Sequence, residues 1–322
     1  MKTIAVIITI YNKADYILAC LDSVFNNSVL PDEIILINDG STDQSFELIE
    51  TYNFNTLSHS IINKKNEGVS ISRNLGIAIV KSDYFLFIDA DDIIENELIE
   101  KLHTFCDEDE VEIVSYNVQK RNIELGKIAF IDKHQPDLNT GSDFLQFYLE
   151  HQVNFAVACG YCYKTSFFKS NNFEFSPGKY HEDYGLIPLV LFTAEKMISM
   201  AYVGYTVFMV PNSIMRNNDY SFKVKKAFDT LNLSKHLLLK FSQFPNIQSY
   251  IYQLITNFVL NAMFSKVTSL DKQEQYCFLL TIHEYKMERF IKCSSSKMIF
   301  RKILLSYSPN TYARYFGYLN GK

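Results

Sequence analysis

The spacing of hydrophobic and polar positions changes repeatedly over the first ninety residues, and each change marks an element. Ile4 to Ile10 is an unbroken apolar run, the pattern of a strand buried on both faces. Ile17, Leu18, Leu21, Val24 and Phe25 then recur at helical spacing. Glu33 to Ile37 is a second strand that stops abruptly at Asn38-Asp39-Gly40. Ser41 or Thr42 is placed to cap a helix running to about Tyr52, with Asp43 near its positive end. A third strand over 58–63, a helix over 68–80 and a fourth strand over 84–88 complete the series. This alternation predicts an α/β fold, with a mostly parallel sheet and helices on both faces.

Beyond residue 100 the rhythm loosens. Short strands are expected over 112–118, 128–131, 155–163 and 205–210, and helices over 142–151 and 184–195. From about Phe222 only helical periodicity is visible, broken near Pro245, Ser269–Asp271 and Ser294–Ser296. The expected organisation is an α/β first part over 1–95, a mixed part over 96–220 and a C-terminal helical region over 221–322.

Composition narrows the class. With 48% hydrophobic and 21% charged residues, the chain has enough apolar side chains for a packed core and is not expected to be disordered. A net charge of -5 gives no general attraction to nucleic acid. The first apolar run is short, lacks a small-residue cleavage site and leads straight into Tyr11-Asn12-Lys13, so it reads as a strand and not a signal peptide. No stretch approaches the roughly 20 apolar residues that span a bilayer, so a cytoplasmic protein is expected. The six cysteines are scattered, as for reduced thiols. From Arg289 onward the chain carries basic and aromatic residues but no Asp or Glu. That tail suits either a peripheral contact with the inner face of an anionic membrane or an amphipathic helix packed on the protein.

Four segments carry candidate chemistry. The strand ending at Ile88 runs into Asp89-Ala90-Asp91-Asp92, which puts clustered carboxylates at the edge where open α/β sheets bind ligands. Such carboxylates repel one another unless a cation neutralises them, and they suit Mg²⁺ or Mn²⁺ on a nucleotide diphosphate; a plain helix start is the competing reading. Asn38-Asp39-Gly40-Ser41-Thr42-Asp43 is either a tight turn or a carboxylate presented at a strand tip to a base edge. In Asn66 to Gly76, Arg73 sits among small residues where a helix can approach a sheet, placed to pair with Asp89 or with a phosphate. Glu182-Asp183 offers a general base, or simply favourable acids at a helix N-terminus. Cys159-Gly160-Tyr161-Cys162 lacks the second pair a zinc site needs. Neither G-x-G-x-x-G nor G-K-[ST] occurs, so dehydrogenase and P-loop readings lack their central element.

The order of these segments is more specific than any one of them. Val6-Ile7-Ile8-Thr9-Ile10-Tyr11-Asn12, Asn38 to Asp43, Asn66 to Gly76, Ile88 to Asp92 and Glu182-Asp183 together resemble family 2 glycosyltransferases of the GT-A fold, of the bacterial surface-polysaccharide type. The likeness is good over 1–100 and looser over 150–216, and the tail matches only in type. It implies a Rossmann-like GT-A domain, with a nucleotide-sugar half over 1–95 and an acceptor half over 96–220. It also implies inverting transfer of a hexosyl or N-acetylhexosaminyl group from a nucleotide-sugar donor, a UDP-sugar first, to a saccharide or lipid-linked acceptor in capsule or lipopolysaccharide synthesis. Thr9 and Tyr11 would line the base pocket and Asp39 would bond the base. Arg73 would support the nucleotide or the acidic run. Asp89 would lie at the ribose and metal, Asp91 would be the direct ligand of Mn²⁺ or Mg²⁺, and Asp92 would face the donor sugar. Arg216 would touch the diphosphate, and Asp183, assisted or replaced by Glu182, would be the catalytic base. A homo-oligomer is compatible with this. A sugar nucleotidyltransferase would need a glycine-rich basic loop after the first strand, which Thr9-Ile10-Tyr11-Asn12-Lys13 is not; a non-catalytic nucleotide-sugar-binding partner stays open.

Overall fold

A computed structural model of the chain describes residues 1–107, 111–122, 127–209, 219–267 and 269–289. The expectations for Arg216, for the break near Ser294 and for the basic tail lie outside these residues. The chain folds as two compact units, one formed by Met1–Gly178 with the segment starting at Leu186, the other by Lys179–Gly185 with the C-terminal helices.

The first unit is built on a sheet with, among the described residues, nine strands. Its first part is β1 (Ile4–Ile10), α1 (Ile17–Phe25), β2 (Glu33–Asn38), α2 (Ser45–Thr51), β3 (His59–Asn63), α3 (Val69–Ile79) and β4 (Tyr84–Asp89). These match the apolar runs within a residue or two, except at α2. That helix starts at Ser45 without a side-chain cap, because the hydroxyl of Ser41 is spent on Asn38 and on the neighbouring turn. β5 (Ile93–Ile94), α4 (Leu98–Cys106), β6 (Ile113–Asn122), β7 (Lys127–Ile131) and α5 (Gly141–Glu150) follow. Then come β8 (Tyr161–Lys164), α6 (Thr165–Ser170), α7 (Glu182–Thr193), which belongs to this unit from Leu186, and β9 (Met197–Phe208).

The strand order is β3-β2-β1-β4-β8-β6-β9-β5, with β7 beside β6. β3, β2, β1 and β4 are parallel neighbours, as are β6 and β9. β8 runs antiparallel to both β4 and β6, and β5 and β7 are antiparallel additions. The sheet is therefore mixed, not mostly parallel, with helices on both faces. The antiparallel insertion is β8, whose four residues are shorter than the strand expected over 155–163. The stretches 1–95 and 96–220, expected as two halves, contribute strands to one continuous sheet.

β1, β2 and β4 are almost wholly buried, which is why they read as continuous apolar runs. α3 lies close on β1 because it carries Gly76: a Cβ there would come within 2.5 Å of Ile7 Cγ2. Glu33, buried at the start of β2, accepts from the N–H groups of Lys81 and Ser82 and from the Ser82 hydroxyl, tying the loop after α3 to the sheet.

In the second unit, α8 (Tyr220–Ser242), α9 (Ser249–Val267) and α10 (Lys272–Glu284) account for the helical periodicity, with breaks at the expected Pro245 and Ser269–Asp271 regions. The segment Lys179–Gly185 is moored to α8. Buried Asp229 accepts from Lys225 at 2.6 Å, from Lys179 at 3.1 Å and from the Tyr180 N–H at 3.1 Å. Burial opposes its ionisation, but these donors outweigh burial and hold its carboxyl below the usual range. The Tyr184 hydroxyl bonds the Ser234 hydroxyl at 2.8 Å. His181 adopts a left-handed φ of 61°. Burial, with Lys266 and Lys226 nearby, lowers its pKa to about 4, so it stays neutral at physiological pH.

One buried charge predicts its own replacement. Lys133, after β7, is fully buried with its ammonium 3.9 Å from the centre of the Tyr161 ring, and it has no hydrogen-bond partner among the described residues. Burial lowers its pKa to about 7. Below pH 7 the folded protein bears the cost of a buried ammonium; between about 7 and the unfolded value near 10.5 the folded form sheds the proton and stability rises with pH. Lys133→Met should therefore raise stability at pH 6 by roughly 1–3 kcal/mol, with the gain shrinking as pH approaches 10. Denaturant unfolding at several pH values checks this, and a gain that does not change with pH would refute it.

Candidate active site at the carboxyl edge of the parallel strands

β1, β2 and β4 end level with one another. Thr9 is in register with Asp89 on one side and with Ile37 on the other, so Thr9, Asp39 and the acidic run emerge on the same edge. Tyr11 stands one step past β1 and is exposed. The edge is where parallel strands leave their carboxyl ends, the usual ligand position in such sheets.

Asp39 is buried at the tip of β2 and pairs with Lys64. It also accepts the N–H groups of Glu67 at 3.0 Å and Gly68 at 2.8 Å. It thus organises the chain entering α3. Gly40 makes this possible: its φ is 70°, and a Cβ there would meet the Asn66 nitrogen at 2.7 Å.

Arg73, on the inner face of α3, is nearly fully buried and places its guanidinium 5.6 Å from the Phe87 ring and 5.2 Å from the Phe175 ring. From that aromatic slot it donates to Asp89 Oδ1 at 2.9 Å. Of the two partners expected for Arg73, the structure shows Asp89. The neighbouring Asn74 exchanges two hydrogen bonds with the Phe175 backbone, holding the second wall of the slot. Asp89 Oδ2 accepts from the Cys159 thiol at 3.3 Å. Cys159, one half of a C-x-x-C that lacks a second pair, is thus a direct neighbour of the acidic run.

Asp91 faces the β1 end of the edge, and Lys13 Nζ lies 2.5 Å from its Oδ2. Asp92 behaves differently from the expectation that it faces a donor sugar. It is 5% exposed; its Oδ2 accepts from the Tyr205 hydroxyl and its Oδ1 from the Phe208 N–H, both at 2.9 Å, so it turns into β9. Burial, then the charges of Asp89 and Asp91, push its pKa to about 8. Tyr205 also accepts from the Asp89 N–H at 3.0 Å and so clasps both ends of the acidic turn. The same negative field reaches Cys20, whose thiol is pushed up by burial and by Asp92, Asp91 and Asp89.

Three neighbours of the edge are not among the site residues expected from the sequence: Lys13, Lys64 and Tyr205. Lys64 follows the end of β3 directly and Lys13 lies three residues past β1, positions that could have marked them. Tyr205 carries no such signal, because it reaches Asp89 through a pairing of strands far apart in the chain. Glu182 and Asp183, in the first turn of α7, are partly buried and benefit there from the positive helix end.

The mixed sheet, with its acidic turn at the carboxyl edge of β4 beside the tips of β1 and β2, defines a GT-A-like α/β fold. A crystal structure of S. aureus TarS 1-349 in complex with UDP-GlcNAc superposes with a TM-score of 0.74 at 18% identity, over 99% of this chain and 92% of that one. Residues 5–171 match the sequence profile of glycosyl transferase family 2, and the chain belongs to that family. It is a transferase enzyme. Curated relatives include the uncharacterized glycosyltransferase YibD of Escherichia coli, 28% identical over 73% of this chain and 68% of that protein. Glycosyltransferase GlyA of Streptococcus pneumoniae is 32% identical over 61% of this chain but only 29% of its own length. The poly(ribitol-phosphate) beta-glucosyltransferase of Bacillus spizizenii is 27% identical over 53% of this chain and 26% of its own length. The match to these last two thus covers less than a third of each.

Proposed function

We propose that the protein transfers a hexosyl or N-acetylhexosaminyl group, with inversion, from a UDP-sugar to a saccharide or lipid-linked acceptor in surface-polysaccharide synthesis. The observation that carries this reading is the convergence of Thr9, Asp39, Asp89 and Asp91 on one sheet edge, with Arg73 braced beneath Asp89. Asp39 beside the exposed Tyr11 supplies a carboxylate for a base edge. The relatives named above support the polymer acceptor, since one acts on poly(ribitol-phosphate), and the UDP-GlcNAc held by TarS supports the donor class.

The residues present fit a divalent cation. Asp89 and Asp91 offer hard oxygen ligands at an edge where the Lys13 ammonium already lies against Asp91 as a cation. Two carboxylates completed by donor phosphates suit Mn²⁺ or Mg²⁺. When bound, the ion would neutralise charge developing on the departing diphosphate. Arg73 fixes Asp89, Tyr205 fixes the turn, and Asp183, with Glu182 as the alternative, removes the acceptor proton as its oxygen attacks. No helix among the described residues is long and apolar enough to cross a membrane; for the basic tail, peripheral membrane contact and packing on the protein both stay open.

The test is a donor panel of UDP-galactose, UDP-glucose, UDP-N-acetylhexosamines, GDP-mannose and dTDP-rhamnose, scored for slow hydrolysis with Mn²⁺, with Mg²⁺ and with a chelator. A UDP-sugar should be cleaved in the presence of metal, and chelation should stop the reaction. Donor binding with no turnover on any member would favour a non-catalytic binding partner, and turnover indifferent to chelation would remove the metal from the reading.

A further inference from the structure

We propose that Lys13 is a tethered resident cation of the acidic edge, which holds Asp91 while the site lacks donor and gives it up when metal and nucleotide load together. The inference rests on the reading of Asp89 and Asp91 as the metal-holding pair and adds a residue that governs loading.

The backbone around Lys13 is clamped. Three successive N–H groups donate to the loop after β2 and the start of α2: Asn12 to Ser41 Oγ at 3.0 Å, Lys13 to Ser45 Oγ at 2.7 Å and Ala14 to Asp43 Oδ2 at 3.0 Å. The Asn12 side chain returns the contact by accepting from the Thr42 N–H at 2.8 Å, and Asn12 itself adopts a left-handed φ of 51°. Much of the Ser41-Thr42-Asp43 motif is thereby committed to fixing where Lys13 starts. Its four-carbon stem is the mobile part.

The two cations paired with the acidic run differ in kind. Arg73 is locked between two rings beneath Asp89 and is nearly fully buried. Lys13 and Asp91 remain partly open to solvent, with side chains 21% and 17% exposed. An incoming divalent ion must therefore compete with the Lys13 ammonium for Asp91. A displaced ammonium on a negative edge needs a new anion, and a nucleoside diphosphate arriving at the same edge supplies phosphate oxygens. Metal alone offers no such partner and leaves two cations crowded on one carboxylate. Loading of metal and nucleotide is therefore coupled through Lys13, and the coupling is reciprocal.

The experiment measures Mn²⁺ binding to the full chain by water-proton relaxation, without nucleotide and with saturating UDP. Wild type, Lys13→Gln, Lys13→Arg and Asp91→Ala are compared. Lys13→Gln should bind Mn²⁺ alone about 10-fold more tightly than wild type, a factor typical of such coupling, and should bind UDP more weakly without metal. Lys13→Arg keeps the charge and should keep the weak Mn²⁺ affinity of wild type. Mn²⁺ affinity in Lys13→Gln equal to or below wild type, without nucleotide, overturns the proposal. If Asp91→Ala binds Mn²⁺ with UDP as well as wild type does, the metal assignment itself fails and the inference falls with it; that result is distinct from one in which only the Lys13 variants are silent.

Discussion

Asp183→Asn is expected to lower turnover by about 10²–10⁴-fold, the usual contribution of a general base, while the dissociation constant for the UDP-sugar stays within about 2-fold of wild type, since uniform binding is untouched. The substitution keeps the shape of the side chain and removes only its basicity. Asp183 is held at the start of α7, within the segment that Asp229 moors to α8, so a fold-wide effect is not expected. Glu182→Gln separates the two candidate acids. A larger loss for Glu182→Gln than for Asp183→Asn would transfer the role to Glu182. Near wild-type turnover in both would take this segment out of the chemistry.

The second large effect concerns stability and is asymmetric. Asp89→Ala should lower the unfolding free energy by roughly 3 kcal/mol, because it withdraws the carboxylate from a guanidinium already deprived of water. Arg73 is 3% exposed and lies against the rings of Phe87 and Phe175. Arg73→Met should cost only about 1 kcal/mol in the same assay, since Asp89 is about a third exposed and water takes over its solvation. Urea unfolding of both variants decides the matter: equal losses would show that the pair is valued for packing and not for charge. Activity should fall in both variants, because each loosens the acidic turn.

The fold is legible to the extent that its signals are local. β1, β2 and β4 are buried on both faces, and that environment demands the unbroken apolar runs that mark them in the sequence. Gly76 among small residues foretells the close approach of α3 to β1 for the same reason. Legibility falls where partners are distant. β8 enters between β4 and β6 in antiparallel sense and changes the sheet from mostly parallel to mixed, yet its four residues carry no sign of direction. Ser41 resembles a helix cap in isolation; in three dimensions its hydroxyl serves Asn38 and accepts from Asn12, and the helix starts later.

The candidate site divides along the same line. The placement of Asp39, Asp89 and Asp91 at strand ends follows from the chain itself, since a carboxylate cannot continue a buried apolar run and must surface at its tip. What each carboxylate does depends on groups well separated from it in the chain. Arg73 reaches Asp89, Lys13 reaches Asp91, and Tyr205 with Phe208 draws Asp92 into β9. The sequence by itself determined which carboxylates crowd the edge. Only the tertiary structure decided which of them is braced, which is paired with a movable cation and which is turned inward. Charge and strand period are properties of consecutive residues, whereas the identity of a carboxylate's donor is set by strand pairing across the sheet.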